Sequence, residues 1–217
     1  MPKRWLTRAL IALVVPATLA APALTTSATA AVNGPGVPTV AQVATVYPHF
    51  AGGTSSESTS KVLGPGKKCK PGKPIKGASA RTASYSAPVN YEDPTSYLMT
   101  GARPGVFVSA MRFPTAKAAI KYLHSSSAST KKCPVATPTI DGQKVKAKIK
   151  PIRFKLGNER WGYQTTATYS GQTVIGNTLF VRSGKFVVYA SAMSMDGTAP
   201  SIPQSIQLTK LALSAVR

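Results

Sequence analysis

Four segments in the second half of the chain have the composition of β-strands, and short turns separate them. The segments are residues 144–154, 161–169, 173–181 and 186–195. Ser170-Gly171 and Ser183-Gly184 each offer a glycine where a tight hairpin turn requires a positive φ, while Gly157-Asn158 opens a slightly longer turn. Consecutive strands joined in this way pair antiparallel, so the pattern predicts a four-stranded meander.

The last of these strands is apolar on both faces, because Phe186 and Val188 alternate with Val187 and Tyr189. A strand of this kind is typical of a sheet that is covered on both sides. We expect three helices to provide the cover, at residues 39–47, 115–125 and 202–216. The residues expected to be buried in the second and third helices are Ala116, Ala119, Ile120, Leu123, Ile206, Leu211, Leu213 and Val216.

The first half of the chain contributes fewer strands. Residues 81–89 and 106–113 read as extended, whereas residues 52–60 are a polar tract. Residues 64–77 combine five lysines with three prolines, so we expect a basic loop without regular structure. The predicted fold class is therefore α+β: a mainly antiparallel sheet, made of the C-terminal meander plus one or two N-terminal strands, flanked by about three helices.

The N-terminus has the pattern of a signal peptide. Basic residues precede an apolar stretch, and Ala28-Thr29-Ala30 matches the small-residue preference of signal peptidase. The apolar stretch is shorter than the roughly 20 residues that cross a bilayer, which disfavours a transmembrane anchor. We predict a signal peptide at 1–30, a flexible lead at 31–38 and one disulfide-clamped domain at 39–217. The expected location is extracellular, either free or associated with the cell wall.

The charge balance and the cysteines add two expectations. The chain has 27 Lys and Arg against 6 Asp and Glu, and the excess stays at +18 when residues 1–30 are removed. Export into an oxidising space predicts a single disulfide between Cys69 and Cys133, the only two cysteines. Zinc is the rival explanation of two cysteines, but it needs paired spacing and further ligands that this chain lacks, so we expect no metal and no cofactor.

The order of elements resembles the secreted and receptor-linked sensor domains of actinobacteria, of the PknH-like extracellular type. The matching pieces are Cys69 after a Gly-Pro-Gly turn, the phrase MRFPTAKAA at 111–119, Cys133 after the second helix, and the closing strand and helix. The resemblance covers residues 39–217 and implies an exported, non-catalytic binding domain. That family usually carries two disulfides and a polar cleft, whereas this chain has one cysteine pair. No site residues are carried over from it.

Residues suited to catalysis are few. His49 and His124 are the only histidines, and neither accompanies a nucleophile motif such as G-x-S-x-G. Glu92-Asp93 is the only adjacent pair of carboxylates, and its position before Pro94 favours a turn. We therefore predict that the protein is not an enzyme. The alternatives are a cell-envelope hydrolase that uses loop carboxylates and a structural surface protein retained by its charge.

The sharpest local pattern is the alternation of four lysines with apolar residues in KVKAKIK at 144–150. In a strand it places Lys144, Lys146, Lys148 and Lys150 on one face. An exposed or edge strand uses such lysines against aggregation. The functional alternative is a patch for anionic cell-envelope polymers or another extracellular ligand, and extracellular nucleic acid would satisfy the same electrostatics. The patch would also include Lys67, Lys68, Lys70, Lys73 and Lys76.

Trp161, Tyr163 and Tyr169 share one face of the next strand. Exposed aromatics interleaved with cations would suit single-stranded nucleic acid, but aromatics on a meander strand are more often core residues. No sequence-specific nucleic-acid motif occurs. The prediction is therefore a secreted, sensor-like binding domain with a basic contact face and no specific nucleic-acid partner.

Overall fold

The structure is a computed structural model that describes residues 35–66, 71–93, 95, 98–133, 135–136, 139–140, 143–157 and 159–216. For residues 136, 139, 140, 143 and 144 it describes the backbone alone. The predicted signal peptide and residues 31–34 of the flexible lead lie outside the described residues, so the predicted domain boundaries remain predictions.

The described residues form three α-helices and ten strands. The helices are α1 (Val40–Ala44), α2 (Ala116–Lys132) and α3 (Ile202–Ala215), with a 3-10 helix at Pro48–Phe50. The strands are β1 (Thr54–Pro65), β2 (Pro71–Ser86), β3 (Gly105–Arg112), β4 (Val135–Ala136), β5 (Thr139–Ile140), β6 (Gln143–Lys144), β7 (Ala147–Pro151), β8 (Arg160–Tyr169), β9 (Gln172–Ser183) and β10 (Phe186–Ser194).

Eight of these strands form one sheet in the order β1-β2-β3-β10-β9-β8-β7-β4, and all neighbours pair antiparallel. Strands β5 and β6 pair with each other in a separate two-stranded sheet. The predicted α+β class and the C-terminal meander are confirmed. The first meander strand is shorter than expected, because its pairing with β8 covers Ala147 to Pro151 rather than residues 144–154.

The long hairpin of β1 and β2 corrects the expectation of a polar tract and an irregular basic loop. Pro71 is the first residue of β2, where no ladder hydrogen bond is required of it. Pro74 lies opposite Leu63 at an irregularity of the register. Residues 54–59 of β1 are exposed on both faces, so this strand shows none of the alternation that identifies a half-buried strand. Backbone pairing with β2 holds it in the sheet.

The sheet has a hydrophobic core on each face, as the apolar pattern of β10 predicts. The core under α3 includes Val188 and Ala190 from β10 together with Leu208 and Ala212 from the helix. The core under α2 includes Val187 and Tyr189 together with Tyr122 and Leu123. Cover from both sides is therefore confirmed.

Helix α3 begins after the Ser201 cap with Pro203 in its first turn, as expected. Its buried face differs from the prediction by part of a turn. Leu208 and Ala212 are fully buried, whereas Ile206 and Leu211 are partly exposed. Leu213 and Val216 are buried as predicted.

Helix α2 is longer than the predicted 115–125. The Thr115 hydroxyl accepts a hydrogen bond from the Ala118 amide and caps the helix, which then continues through a serine-rich half to Lys132. Ala119 and Leu123 are buried as expected, but Ala116 is exposed. Ser126 and Thr130 continue the buried face, so the second half of α2 presents small and polar side chains to the sheet.

Candidate functional site

The lysine ladder, defined here as Lys146, Lys148 and Lys150, lies on an exposed face at β7: Lys148 and Lys150 belong to the strand, and Lys146 immediately precedes it. These three side chains are exposed, while the alternating residues Val145 and Ile149 are buried in the core under α2. Since alternate residues in a strand point to opposite faces, the ladder lies on the face that carries α3. That helix lies over β3, β9 and β10, which leaves the ladder open to solvent.

The ladder faces polar neighbours. Lys148 is opposite Thr166 and Lys150 is opposite Gln164 in the register of β7 with β8. On the other side of β7, the two residues of β4 pair only with Lys148 and Ala147. Among the described residues, no carboxylate forms an ion pair with the ladder. In the part of the chain that the structure describes, these three lysines, whose backbone positions in an extended strand are about 7 Å apart, therefore have no carboxylate to compensate them.

The structure locates only some of the lysines predicted to join the ladder. Lys67, Lys68 and Lys70 lie outside the described residues, and Lys144 is described by its backbone alone. Lys73 and Lys76 are exposed on β2. Strands β2 and β7 are five strand spacings apart, roughly 24 Å, so these two lysines and the ladder form separate surfaces.

A groove of about 1150 Å³ lies on the other face of the same sheet edge, between α2 and the strands β7 and β8. Its floor includes Ile149, Trp161 and Tyr163. Its helix wall includes Leu123, Ser127 and Ala128, and its opposite wall is the segment from Ile152 to Lys155. The small side chains of α2 leave this space over the sheet. No local sequence pattern indicates it.

The floor of the groove is aromatic. Trp161 packs against Tyr163 and Phe180, with ring centroids 4.8 and 4.5 Å apart. Tyr163 is fully buried, and burial raises the pKa of its phenol, so this group stays neutral. These side chains belong to the core, as favoured from the sequence, but Trp161 is partly exposed at the groove.

The rim of the groove is cationic. Lys131, Arg153 and Lys155 line it and are exposed, and no carboxylate of the described residues pairs with them. The one acidic residue in the lining, Glu159, forms an ion pair with Arg182. The groove therefore combines an apolar floor with uncompensated positive charge at its edge.

Arg160 has a different role at this rim. Its Nε donates to the carbonyl of Phe154 over 2.7 Å, and its Nη1 donates to the carbonyl of Gly157 over 2.9 Å. The loop after β7 also packs closely on Gly162, where an added Cβ would lie 3.1 Å from the Phe154 ring. These contacts fix the loop that carries Arg153 and Lys155.

The two histidines occupy different environments. His49 is half-buried against Phe50, and its Nε2 donates to the carbonyl of Pro104 over 3.1 Å. Burial lowers the pKa of His49 by more than the hydrogen bond to Pro104 raises it, and the nearby Arg103 adds to the lowering, so the neutral ring is favoured at pH 7. His124 is exposed on α2 at the groove.

Of the adjacent carboxylates, Glu92 is exposed in a bend of the chain and Asp93, which follows it, is partly exposed. The Asp93 carboxylate accepts hydrogen bonds from the hydroxyl and the amide of Thr95, which lower its pKa. A general acid in glycoside hydrolysis requires the opposite shift, a raised pKa. These contacts are those of a turn, which is the role the sequence favours for the pair.

Cys133 is buried at the C-terminal cap of α2, where its amide donates to the carbonyl of Thr130. Cys69 lies outside the described residues, so the disulfide between them remains a prediction. Within the described ranges, no group of three or more His, Cys, Asp or Glu side chains is placed to hold a metal ion. In the same part of the chain, no helix is both long and apolar enough to cross a membrane.

Comparisons with known proteins find a likeness in fold. The extracellular domain of PknH from Mycobacterium tuberculosis superimposes with a TM-score of 0.56 at 15% sequence identity, covering 83% of this chain and 92% of that one. This confirms the expected resemblance to PknH-like extracellular domains at the level of the fold.

Two further mycobacterial structures align less well. A putative uncharacterized protein (Rv0999 ortholog) from Mycobacterium smegmatis gives a TM-score of 0.39 at 11% identity, with 84% of this chain and 98% of that chain covered. LpqN, involved in cell envelope biogenesis of Mycobacterium tuberculosis, gives 0.24 at 16% identity, with 76% and 81% covered. No protein-family model and no curated protein matches the chain.

Proposed function

We propose that this protein is an exported, non-enzymatic, sensor-like binding domain that contacts anionic polymers of the cell envelope through the lysine ladder. The observation that carries the proposal is the exposure of Lys148 and Lys150 on β7 and of Lys146 just before it, with no carboxylate of the described residues paired to them. The fold likeness to an extracellular domain supports the setting outside the cell.

A repeating polyanion suits this geometry. Alternate residues in a strand are about 7 Å apart, so the ladder presents an evenly spaced row of charges to an extended chain. Binding releases counterions from a linear polyanion, so the affinity falls steeply with salt. If the net charge of +18 on residues 31–217 simply attracted the polymer, the affinity would depend on the total charge alone. Binding at the ladder depends instead on where the charges are.

The test is the affinity for synthetic poly(glycerol phosphate), measured across a salt series. Replacing the three ladder lysines by glutamine should weaken binding and reduce the slope of log K against log salt by roughly two to three. A matched triple variant replaces the exposed residues Lys117, Lys121 and Lys210, which removes the same charge from the helices. This control should bind nearly as well as the parent chain.

Equal loss in the two triple variants would reject the ladder and leave only a general effect of net charge. Single-stranded DNA of the same charge per length serves as the competing ligand. Tighter binding to DNA than to poly(glycerol phosphate) would overturn the choice of polymer. Turnover of either polymer by the purified protein would overturn the non-enzymatic assignment.

A further inference from the structure

We propose that the groove between α2 and the β7–β8 edge binds an anionic amphiphile, with its acyl chain on the floor and its acidic headgroup at the rim. This inference goes beyond the polymer contact proposed above, because it rests on different side chains on the opposite face of β7. The groove and the ladder can therefore be tested independently.

The floor selects for an apolar moiety. Ile149 and Trp161 line it, with Leu123 on the helix wall and Ile152 on the opposite wall. Ligand sites of proteins are concave, mostly apolar and about 300–1,000 Å³ in volume, and this groove of about 1150 Å³ is slightly larger. A small hydrophilic anion would leave this apolar surface in contact with water, so it would use only the rim.

The rim selects for a negative headgroup. Lys131 approaches from α2, while Arg153 and Lys155 approach from the loop after β7, so cations stand on both walls of the groove. Glu159 is engaged by Arg182, and Arg160 donates to two backbone carbonyls. A neutral or zwitterionic headgroup would leave the three rim cations without a net counter-charge. An acidic headgroup would gain charge-assisted hydrogen bonds from them.

Trp161 provides a direct readout, because the chain has only two tryptophans and the other is Trp5. In a Trp5→Phe background, Trp161 is the only tryptophan whether or not the N-terminal segment is removed. The secreted protein is titrated with oleoyl lysophosphatidylglycerol below its micelle concentration. We expect a saturable blue shift of the emission as the acyl chain displaces water from the floor.

Two reference ligands separate the parts of the amphiphile. Oleoyl lysophosphatidylcholine has the same chain with a zwitterionic headgroup and should bind about tenfold more weakly. Glycerol phosphate has the phosphate without the chain and should leave the emission unchanged. Equal affinity for both lysolipids, or a response to glycerol phosphate as strong as that to the anionic lysolipid, would overturn the proposal.

Paired variants assign the binding to the groove. Ala128→Leu narrows the helix wall with little change in helix propensity and should weaken binding at least tenfold, whereas Ala116→Leu, exposed outside the groove on the same helix, should not. The double variant Arg153→Gln, Lys155→Gln should lose the preference for the anionic headgroup. The double variant Lys146→Gln, Lys148→Gln on the ladder should keep it.

Native mass spectrometry of the same samples gives an independent count of bound lipid. One bound lysophosphatidylglycerol in the parent and a loss of it in Ala128→Leu would support the groove. Binding that survives Ala128→Leu unchanged, or no bound lipid together with unchanged emission, would overturn it. Thermal unfolding of each variant identifies any that fail to fold. If Ala128→Leu fails to fold, the outcome is decided by comparing the double variant of Arg153 and Lys155 with that of Lys146 and Lys148.

Discussion

Helices α3 and α2 cover opposite faces of one sheet, but they differ in how completely they fill the space above it. Helix α3 buries Leu208 and Ala212 against the central strands, and its buried Thr209 hydroxyl donates to the carbonyl of Ser205 within the helix. Helix α2 packs tightly at Tyr122 and Leu123, but further along it presents Ser127 and Ala128, and the groove lies beside them.

The difference shows how side-chain size along a helix determines where a binding space can form. A sheet that is apolar on both faces needs a helix packed on each face. The helix contacts the sheet closely only where its large apolar side chains meet the strands. The serine-rich half of α2 continues the helix without filling the space over β7 and β8. The layer under α3 is closely packed, and the layer under α2 contains the candidate site.

The largest expected effect concerns the predicted disulfide at the end of α2. Sixty-four positions separate Cys69 and Cys133, so the chain-entropy account gives about 4 kcal/mol of stability from a bridge. We expect Cys133→Ser, or reduction of the parent, to lower the free energy of unfolding by this amount in urea titrations. Two alkylatable thiols in the native protein, purified without reductant, would contradict the bridge.

The next prediction compares the two layers directly by removing one leucine from each. Leu208→Ala should cost about 4 kcal/mol, because a fully buried cavity remains under α3. Leu123→Ala should cost about 2 kcal/mol, since the space it vacates opens onto the groove and admits water. Equal losses in chemical denaturation would show that the two layers are equally closed.

Two glycines on adjacent strands sharpen the comparison further. A Cβ at Gly162 would lie 2.6 Å from Leu179 Cδ2, so Gly162→Ala should cost about 2 kcal/mol through overpacking. A Cβ at Gly176 would have its nearest neighbours at 3.8 Å, so Gly176→Ala should change stability by less than about 0.5 kcal/mol. Thermal unfolding of the two variants measures the difference, and an equal shift would refute it.

The smallest effect is a pH dependence from His49, which packs beside the layer under α3. Its pKa is lowered by burial, so the folded state disfavours protonation while the unfolded chain does not. The stability contribution is present above the unfolded value of about 6.5 and is lost as the pH falls below it. His49→Gln should flatten the decline in unfolding free energy between pH 7 and 5, and an unchanged decline would contradict the assignment.

The fold was predictable where side chains alternate and turns carry glycine. Strands β8, β9 and β10 satisfy both conditions, and their meander is where the sequence places it. Strand β1 is exposed on both faces over residues 54–59, so its pairing depends on backbone hydrogen bonds. These bonds require no alternation of apolar and polar side chains, so no sequence pattern predicts them. The serines of α2 have weak helix preference alone, and tertiary packing continues the helix past residue 125.

The candidate site was predictable only in part, for a related reason. Period-two alternation places Lys146, Lys148 and Lys150 on one face, and the structure has them exposed there. The groove depends on the distance between α2 and β8, which are brought together by the tertiary fold. Trp161 is a core residue by its pattern, and its partial exposure at the groove results from the tertiary packing around it.

The pairing of β3 with β10 has a consequence for how the chain matures. Their register runs from the pair Gly105 and Met193 to the pair Arg112 and Phe186. The N-terminal strands β1–β3 therefore join the rest of the sheet only through β10, the last strand of the chain. Contacts between distant positions slow folding, because the intervening chain must first be brought together. A polypeptide emerging N-terminus first therefore stays without its central strand pair until the residues of β10, Phe186–Ser194, have been released.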